Sequence, residues 1–440
     1  MKLKTALPAI AMCLLPFFGF AQDYNGCTVE KINISTLRMK PDAARQKFPL
    51  KEGCIFDEKD YQAAQEDLHN MRVAREIDFN ITPVGEESIN IDIDIKDGYY
   101  IFPLPFYAAS GGKSVAALAL ATGNILKLGE TNVLFFAAGS DGQSVSNTLM
   151  LGDNIFQLKY THLNFEQRFY EGGWSSTFGV LNTGNDEGKF GAPLETLDTK
   201  RQYFSLMYGR KLGPLTAWVM PAYDDYTYSP SASADGGNHN KITAGLSYRK
   251  GTRAGANMGA VFGFGLSDKK QAMQPLNAPK LSYTAGASYT AGGGWLGADY
   301  NIKKIAINSD ILYELKTRHT FYLGLKAEDS FNSLFSDDIK SLDLLAGLGK
   351  YSRQRRGTRG AGLGAAATYI LLRTDLGLLS LQPFYELAYV YNDGRYRPHS
   401  GTGATMAYKF WRFPFPVGIN YTHNLSDSSN LVGFSFGANF

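Results

Sequence analysis

The residues of this 440-residue chain that could carry chemistry are few, and their spacing does not suit catalysis. Gly112-Lys113-Ser114 ends like a phosphate loop, but Tyr107 stands where such a loop needs its first glycine. Gly360-Ala361-Gly362 has the look of a dinucleotide turn but follows no βαβ pattern. There is no GxSxG, HExxH or CxxC, and the six histidines are scattered, with His399 and His423 in loop or rim stretches. No catalytic, cofactor-binding or metal-ligating residue is assigned. A hydrolase with Ser, His and acid on separate strands leaves no local motif and stays as an alternative. The concentrated charge is Arg353, Arg355, Arg356 and Arg359 in KYSRQRRGTRGAGLG. Guanidinium groups suit carboxylate or phosphate. One carboxylate, Glu386, sits inside the otherwise uncharged stretch LQPFYELAYVY.

The segments that must position these residues alternate with period two. In 379–391 one face is Leu379, Leu381, Pro383, Tyr385, Leu387, Tyr389 and Tyr391, and the other is Ser380, Gln382, Phe384, Glu386, Ala388 and Val390. Segments 403–411 and 417–422 behave alike, and the final LVGFSFGANF puts Val432, Phe434, Phe436, Ala438 and Phe440 on one face. From about 110 onward no helical stripe occurs, and Gly- and Asn-rich pieces separate segments of this kind. A soluble sandwich would show the same alternation. Connection lengths favour a membrane barrel: 424–430 and 393–401 read as long and polar, 374–377 and 412–416 as short. Trp411, Phe413 and Phe415 then fall at an expected interfacial aromatic belt. About sixteen antiparallel strands fit the length. A barrel must close, because an open edge in lipid leaves backbone groups unpaired, so a closing strand can be the last thing in the chain.

The opening MKLKTALPAIAMCLLPFFGFAQ reads as a secretory signal over 1–21, cut after Ala21. Without Lys2 and Lys4 the net charge of +3 becomes +1, which gives no reason to propose nucleic acid as a partner. Cys27 and Cys54 then remain; in an oxidising compartment they can form a disulfide or stay as two separate buried thiols.

Residues 28–97 differ from the rest. TVEKINIST reads as a strand, Pro41 opens a short helix, and Asp57 can cap a second helix whose Tyr61, Ala64, Leu68 and Met71 form one stripe. Two strands follow, with Ile77, Phe79 and Ile81 on one and Ile89, Ile91, Ile93 and Ile95 on the other. This β-α-α-β-β order, with LKEGCIFDEKDYQAAQEDLHNMRVAREIDFNI in its middle, resembles a POTRA domain of the BamA/TamA outer-membrane assembly family. The expected architecture is an all-β transmembrane barrel over 110–440 behind a small α+β POTRA-like domain over 28–97.

The resemblance implies an outer-membrane location in a Gram-negative bacterium, with the N-terminal domain in the periplasm. Its role would be non-enzymatic: insertion or translocation of other proteins by strand addition, with no cofactor. The expected edge for an extended client lies at Ile77, Phe79 and Ile81. The last strand resembles the family's C-terminal β-signal through Val432, Phe434, Phe436 and Phe440. The family's lumen loop carries an Arg-Gly motif whose arginine pairs with an acid on the wall. Here Arg359-Gly360 and Glu386 match, although the flanking Thr358 and Ala361 depart from the family's pattern. A solvated arginine patch facing lipopolysaccharide phosphates is the other reading of that stretch. Asn124 and Gly129 resemble the start of the family's first hairpin. The small residues of SVAALALAT suit either a soft seam between first and last strands or tight curvature. Expected partners are outer-membrane lipid and lipopolysaccharide, unfolded or extended clients, and periplasmic or lipoprotein accessory proteins. A passive pore or surface antigen with the same fold is the rival.

Overall fold

The computed structural model describes residues 24–110 (without 70 and 72), 113–170, 173–176, 195–229, 236–251, 276, 278–331, 339–340, 348, 355–392, 394–412, 416–426 and 428–436. The expected signal at 1–21 lies outside them.

The N-terminal module starts with β1 (Thr28–Thr36), continues through α1 (Pro41–Arg45) and α2 (Glu58–His69), and ends with β2 (Ala74–Pro83) and β3 (Ser88–Asp97). Its sheet has the order β1-β3-β2, with β1 parallel and β2 antiparallel to β3. Pro41 occupies the first helical turn, where its missing N–H costs nothing. The Asp57 carboxylate caps α2 by accepting the Lys59 and Asp60 amides at 2.8 and 3.1 Å. One core holds both layers: Ile89, Ile91, Ile93 and Ile95 of the central strand bury against Phe56, Tyr61 and Leu68. The stripe stops short of expectation, since α2 ends at His69, before Met71.

The second sheet contains eighteen segments. Two are short: Gly173–Ser176 and Gly237–Asn238. The other sixteen form a ring. These are β4 (Tyr100–Ser110), β5 (Lys113–Gly123), β6 (Thr131–Gly139), β7 (Gly142–Leu151), β8 (Asn154–Tyr170), β9 (Glu195–Leu212), β10 (Leu215–Ser229) and β11 (Lys241–Lys250). There follow β12 (Lys280–Gly292), β13 (Ile302–Glu314), β14 (Thr320–Ser330), β15 (Arg359–Arg373), β16 (Gly377–Asn392), β17 (Arg395–Phe410), β18 (Val417–Asn424) and β19 (Ser429–Phe436). Sequential strands pair antiparallel around the sheet, and β19 lies beside β4, which closes the barrel.

Side chains follow the inside-out rule of a barrel in lipid. On β16, Tyr385 and Tyr389 are 44% and 46% exposed on the outer face, whereas Gln382 and Glu386 are 3% and 0% exposed on the inner face. On β18, Ile419 and Tyr421 point out while Asn420 and Thr422 point in. The expected parity of 379–391 is the observed one.

Three expectations change. The barrel begins at Tyr100, ten residues early, because the stretch holding Pro103 and Pro105 is a strand paired along its whole length with β5. The supposed long loop 393–401 is mostly ladder: β17 starts at Arg395, opposite Asn392, and Tyr391 packs on Tyr396 with centroids 5.0 Å apart. A long connection on that end is 331–358, between β14 and β15. Finally, Trp411 is buried, its indole N–H donating to the Thr374 carbonyl at 3.0 Å, so it ties two rim turns together instead of facing lipid. Phe413 and Phe415 lie outside the described residues.

Candidate functional site

The site begins in the lumen. The inner face of β15 is nearly bare: Gly360, Gly362, Gly364 and Ala366 alternate inward. That stripe leaves room beside the wall. Leu348, from the connection between β14 and β15, fills it and packs with Leu312, Tyr322, Ala366 and Phe384. Opposite Gly364 in the ladder stands Glu386, whose buried carboxylate accepts the Leu348 backbone N–H. The Tyr322 hydroxyl beside this cluster donates to the Asp310 carboxylate. The connection therefore re-enters the barrel, and a charge-assisted bond to its main chain holds it there.

The expected pairing of Arg359 with Glu386 is not formed. Arg359 opens β15 and lies opposite Asp329 on one side and Tyr391 on the other. Its guanidinium, 54% exposed, meets Asp329 at 3.2 Å and the Tyr391 ring at 5.8 Å. Glu386 faces a residue five positions further along β15, about 17 Å away at ~3.4 Å per residue. The reason is register: Arg359-Gly360 is already in the ladder, with Gly360 between Glu328 and Val390, so the arginine reaches its cross-strand neighbours.

A second lumen lock was missed in the sequence. Asp224 of β10 is fully buried and receives Arg201 of β9 through a two-pronged contact of 2.8 and 3.0 Å. Lys241 of β11 adds a third bond at 3.0 Å. Arg201 also stacks over Tyr203 and Tyr226 at 4.8 and 5.0 Å. One carboxylate thus ties three successive strands. The available signal was the parity of Asp224 with Ala222, Tyr226 and Tyr228, all inward.

The junction between module and barrel is equally specific. Asp97, the last residue of β3, accepts the amides of Leu37, Arg38 and Met39 at 2.8, 2.9 and 2.7 Å. Its fourth bond, 2.7 Å, comes from the side chain of Asn124, in the turn after β5. Asn124 has φ +58°, a backbone state asparagine tolerates better than most residues, and its amide oxygen accepts the Gly129 N–H at 3.2 Å. A side chain at Gly129 would meet the Met39 sulfur at 3.0 Å. Lys40 donates to the Lys127 carbonyl at 2.9 Å, and Lys47 pairs with Asp153 in the next module-side turn at 2.8 Å. The Lys47 ammonium holds the Asp153 carboxyl below the usual carboxylate range.

At the module's edge, β2 pairs with β3 alone among the described residues. The side chains expected to serve a client turn inward: Ile77, Phe79 and Ile81 pack on the core. What the edge offers outward is its backbone and the opposite face, where Lys96 bridges Glu76 and Asp78 at 3.2 and 3.7 Å.

The cysteine pair is not bridged; Cys27 and Cys54 are free thiols. The Phe56 amide donates to the Cys27 carbonyl and the Val29 amide to the Cys54 carbonyl, so the two cysteines are diagonal across an antiparallel bridge. Diagonal positions are about 7–8 Å apart, beyond the usual disulfide span.

On the closing strand, Val432 lies 61% exposed on the outer face, opposite Tyr421. Phe434 and Phe436 pair with Ile419 and Val417. Phe440 lies outside the described residues.

No protein-family model and no curated protein sequence matches this chain. Solved structures do. CdiB from Escherichia coli superposes with a TM-score of 0.60 at 12% identity, covering 93% of this chain and 75% of that one. CdiB from Acinetobacter baumannii gives 0.54 at 11%, covering 93% and 73%. BamA from Haemophilus ducreyi lacking POTRA domains 1-3 gives 0.44 at 11%, covering 93% and 84%. The two CdiB structures carry the comparison: the chain shares their fold.

Proposed function

We propose that this protein sits in the outer membrane of a Gram-negative bacterium and assists insertion or translocation of other proteins there. On this reading residues 1–21 are its export signal and 28–97 a periplasmic POTRA-like module. The observation that carries the proposal is the linkage of an open strand edge to the barrel's closing junction. The β2 edge can take an extended client by strand addition. The module bearing that edge is tied through Asp97 and Asn124 to the turn that follows β5, and β5 pairs with β4, the strand that meets β19. The lumen segment held by Glu386 supports a resting state in which the barrel is occupied at mid-height. The work is templating and requires no cofactor. Lipopolysaccharide, unfolded clients and accessory lipoproteins are the partners this role implies.

Depletion of the protein, followed by quantitative profiling of the outer membrane, tests the reading. A defined set of barrel or exported proteins should fall at least several-fold. An unchanged outer-membrane protein profile, together with simple channel conductance of the purified protein, would reject it in favour of a passive pore.

A further inference from the structure

The lumen wall carries two clusters in which two cations share one carboxylate. The first is the Asp224 lock with Arg201 and Lys241. In the second, Glu328 of β14 takes Lys304 of β13 on one oxygen at 2.9 Å and Lys326 of its own strand on the other at 2.8 Å. The ratio is the same but the packing is not. Asp224 is fully buried beneath a guanidinium stacked on two tyrosine rings, so its charges hold strands together. The Lys304 and Lys326 side chains stay 26% and 35% exposed beside a cavity of about 290 Å³.

Small residues make that cavity. Gly245, Ser288 and Ala306 lie in one cross-strand row that ends at Glu328, on the lumen side of β11, β12 and β13. The row on one side of it holds Thr243, Thr290 and Lys304, and the row on the other holds Gly286, Asn308 and Lys326. The two ammoniums therefore flank a bed of small side chains. Hydroxyl and amide groups line it with them. The Thr243 and Thr290 hydroxyls are 2.9 Å apart, and only one can donate to the other, so one proton of the pair is directed at some other acceptor. Asn308 lies over Gly286, where an added Cβ would come within 2.7 Å of its amide oxygen. Asp310, the next lumen carboxylate on β13, has Arg249 in its own row.

We propose that this cavity binds the phosphoryl group of a small water-soluble ligand inside the barrel. Two ammoniums against one carboxylate leave one unit of positive charge, and the Arg201–Lys241–Asp224 cluster on the same wall leaves another. Such a field concentrates anions. A lysine ammonium is a compact point charge with rotatable donors, which suits the tetrahedral oxygens of phosphate. Planar carboxylates are matched by the guanidinium fork, and no arginine is among the described lining residues. The other face of these strands meets lipid, so a membrane headgroup does not reach the site. Counting strands from the Asp153 turn puts Glu314 at the module-side rim and Ile302 at the far one, so Lys304 lies in the half of the lumen away from the module. The site stands independently of the assembly role.

Isothermal titration of the full chain in a maltoside detergent, which carries no phosphate of its own, tests this with inorganic phosphate, a hexose phosphate and acetate. The wild-type protein should bind both phosphates saturably and acetate at least tenfold more weakly. Lys304→Gln and Lys326→Gln should each weaken phosphate binding at least tenfold. Glu328→Gln, which raises the charge of the cluster to two positive units, should strengthen it at least threefold. A merely structural ion cluster would not give opposite signs for its two kinds of member. Lys303→Gln makes the same charge change on the outer face of the same strand and should leave binding unchanged. Heat-modified migration on gels shows that each variant barrel is folded. A hexose phosphate bound more tightly than inorganic phosphate assigns the site to a phosphate ester, and equal or weaker binding assigns it to free phosphate. A folded wild-type protein with no saturable phosphate binding overturns the proposal. So does binding that Lys304→Gln and Lys326→Gln leave unchanged, or that Glu328→Gln weakens.

Discussion

Asn124 and Asp97 meet across the module–barrel junction through a 2.7 Å hydrogen bond from side-chain amide to carboxylate. The same carboxylate closes the backbone loop at Leu37, Arg38 and Met39. Both residues are buried, and four donors converge on one acid. Asp97→Ala should therefore cost about 3 kcal/mol or more, since several donors lose a charged acceptor at once. Asn124→Ala removes two side-chain hydrogen bonds, to Asp97 and from Gly129, at a residue with φ +58°, and should cost about 2 kcal/mol while leaving the module folded. Limited proteolysis near 97–100 should accelerate strongly in the first variant and mildly in the second.

The lumen segment is held by Glu386 and not by Arg359. Glu386→Ala should release it at a cost of about 1.5–3 kcal/mol, the range for a hydrogen bond to a charged group. Planar-bilayer recordings should show larger and noisier conductance for Glu386→Ala. Arg359→Ala should record like the wild-type protein, because its guanidinium lies in the ladder against Asp329.

Asp224 neutralises two buried or half-buried cations. Removing one partner of such a group typically costs 3–5 kcal/mol. Asp224→Ala should lower the temperature at which the barrel unfolds on gels, and adding Arg201→Ala should recover part of the loss.

The Lys47–Asp153 contact has a defined pH sense. Asp153 is held below its ordinary range by Lys47, so its folded carboxyl titrates lower than its unfolded one. The contact then contributes fully above the ordinary carboxylate pKa of about 4 and is lost as pH falls through the depressed value. Asp153 is 60% exposed, so solvent screening limits the pair to about 1 kcal/mol or less. Cross-linking between the 47 and 153 regions should weaken in acid and in high salt.

Cys27 and Cys54 should be recovered unpaired in a non-reducing peptide map. Reductant should leave the wild-type module's unfolding midpoint unchanged, and Cys27→Ser with Cys54→Ser should shift it little, in contrast to a bridged pair, whose loss typically costs 2–5 kcal/mol.

Period-two alternation is a local property, and it was legible in the sequence. It gave the strand class, the approximate number of strands and the inward direction of Glu386. The module's layers were legible for the same reason, since the isoleucine ladder of β3 and the stripe of α2 are each contiguous in the chain. Tertiary structure alone decided who meets whom. Arg359 and Glu386 both lie where expected along the chain, but the ladders of β14, β15 and β16 offset them by five residues. Cys27 and Cys54 are kept apart by an offset of two. Asp224 gained its partners only when three strands aligned. Pro103 and Pro105 lie before the expected start of the barrel at 110, and only their pairing with β5 shows them to be in a strand. Register is a relation between strands distant in sequence, so no pattern within one strand contains it.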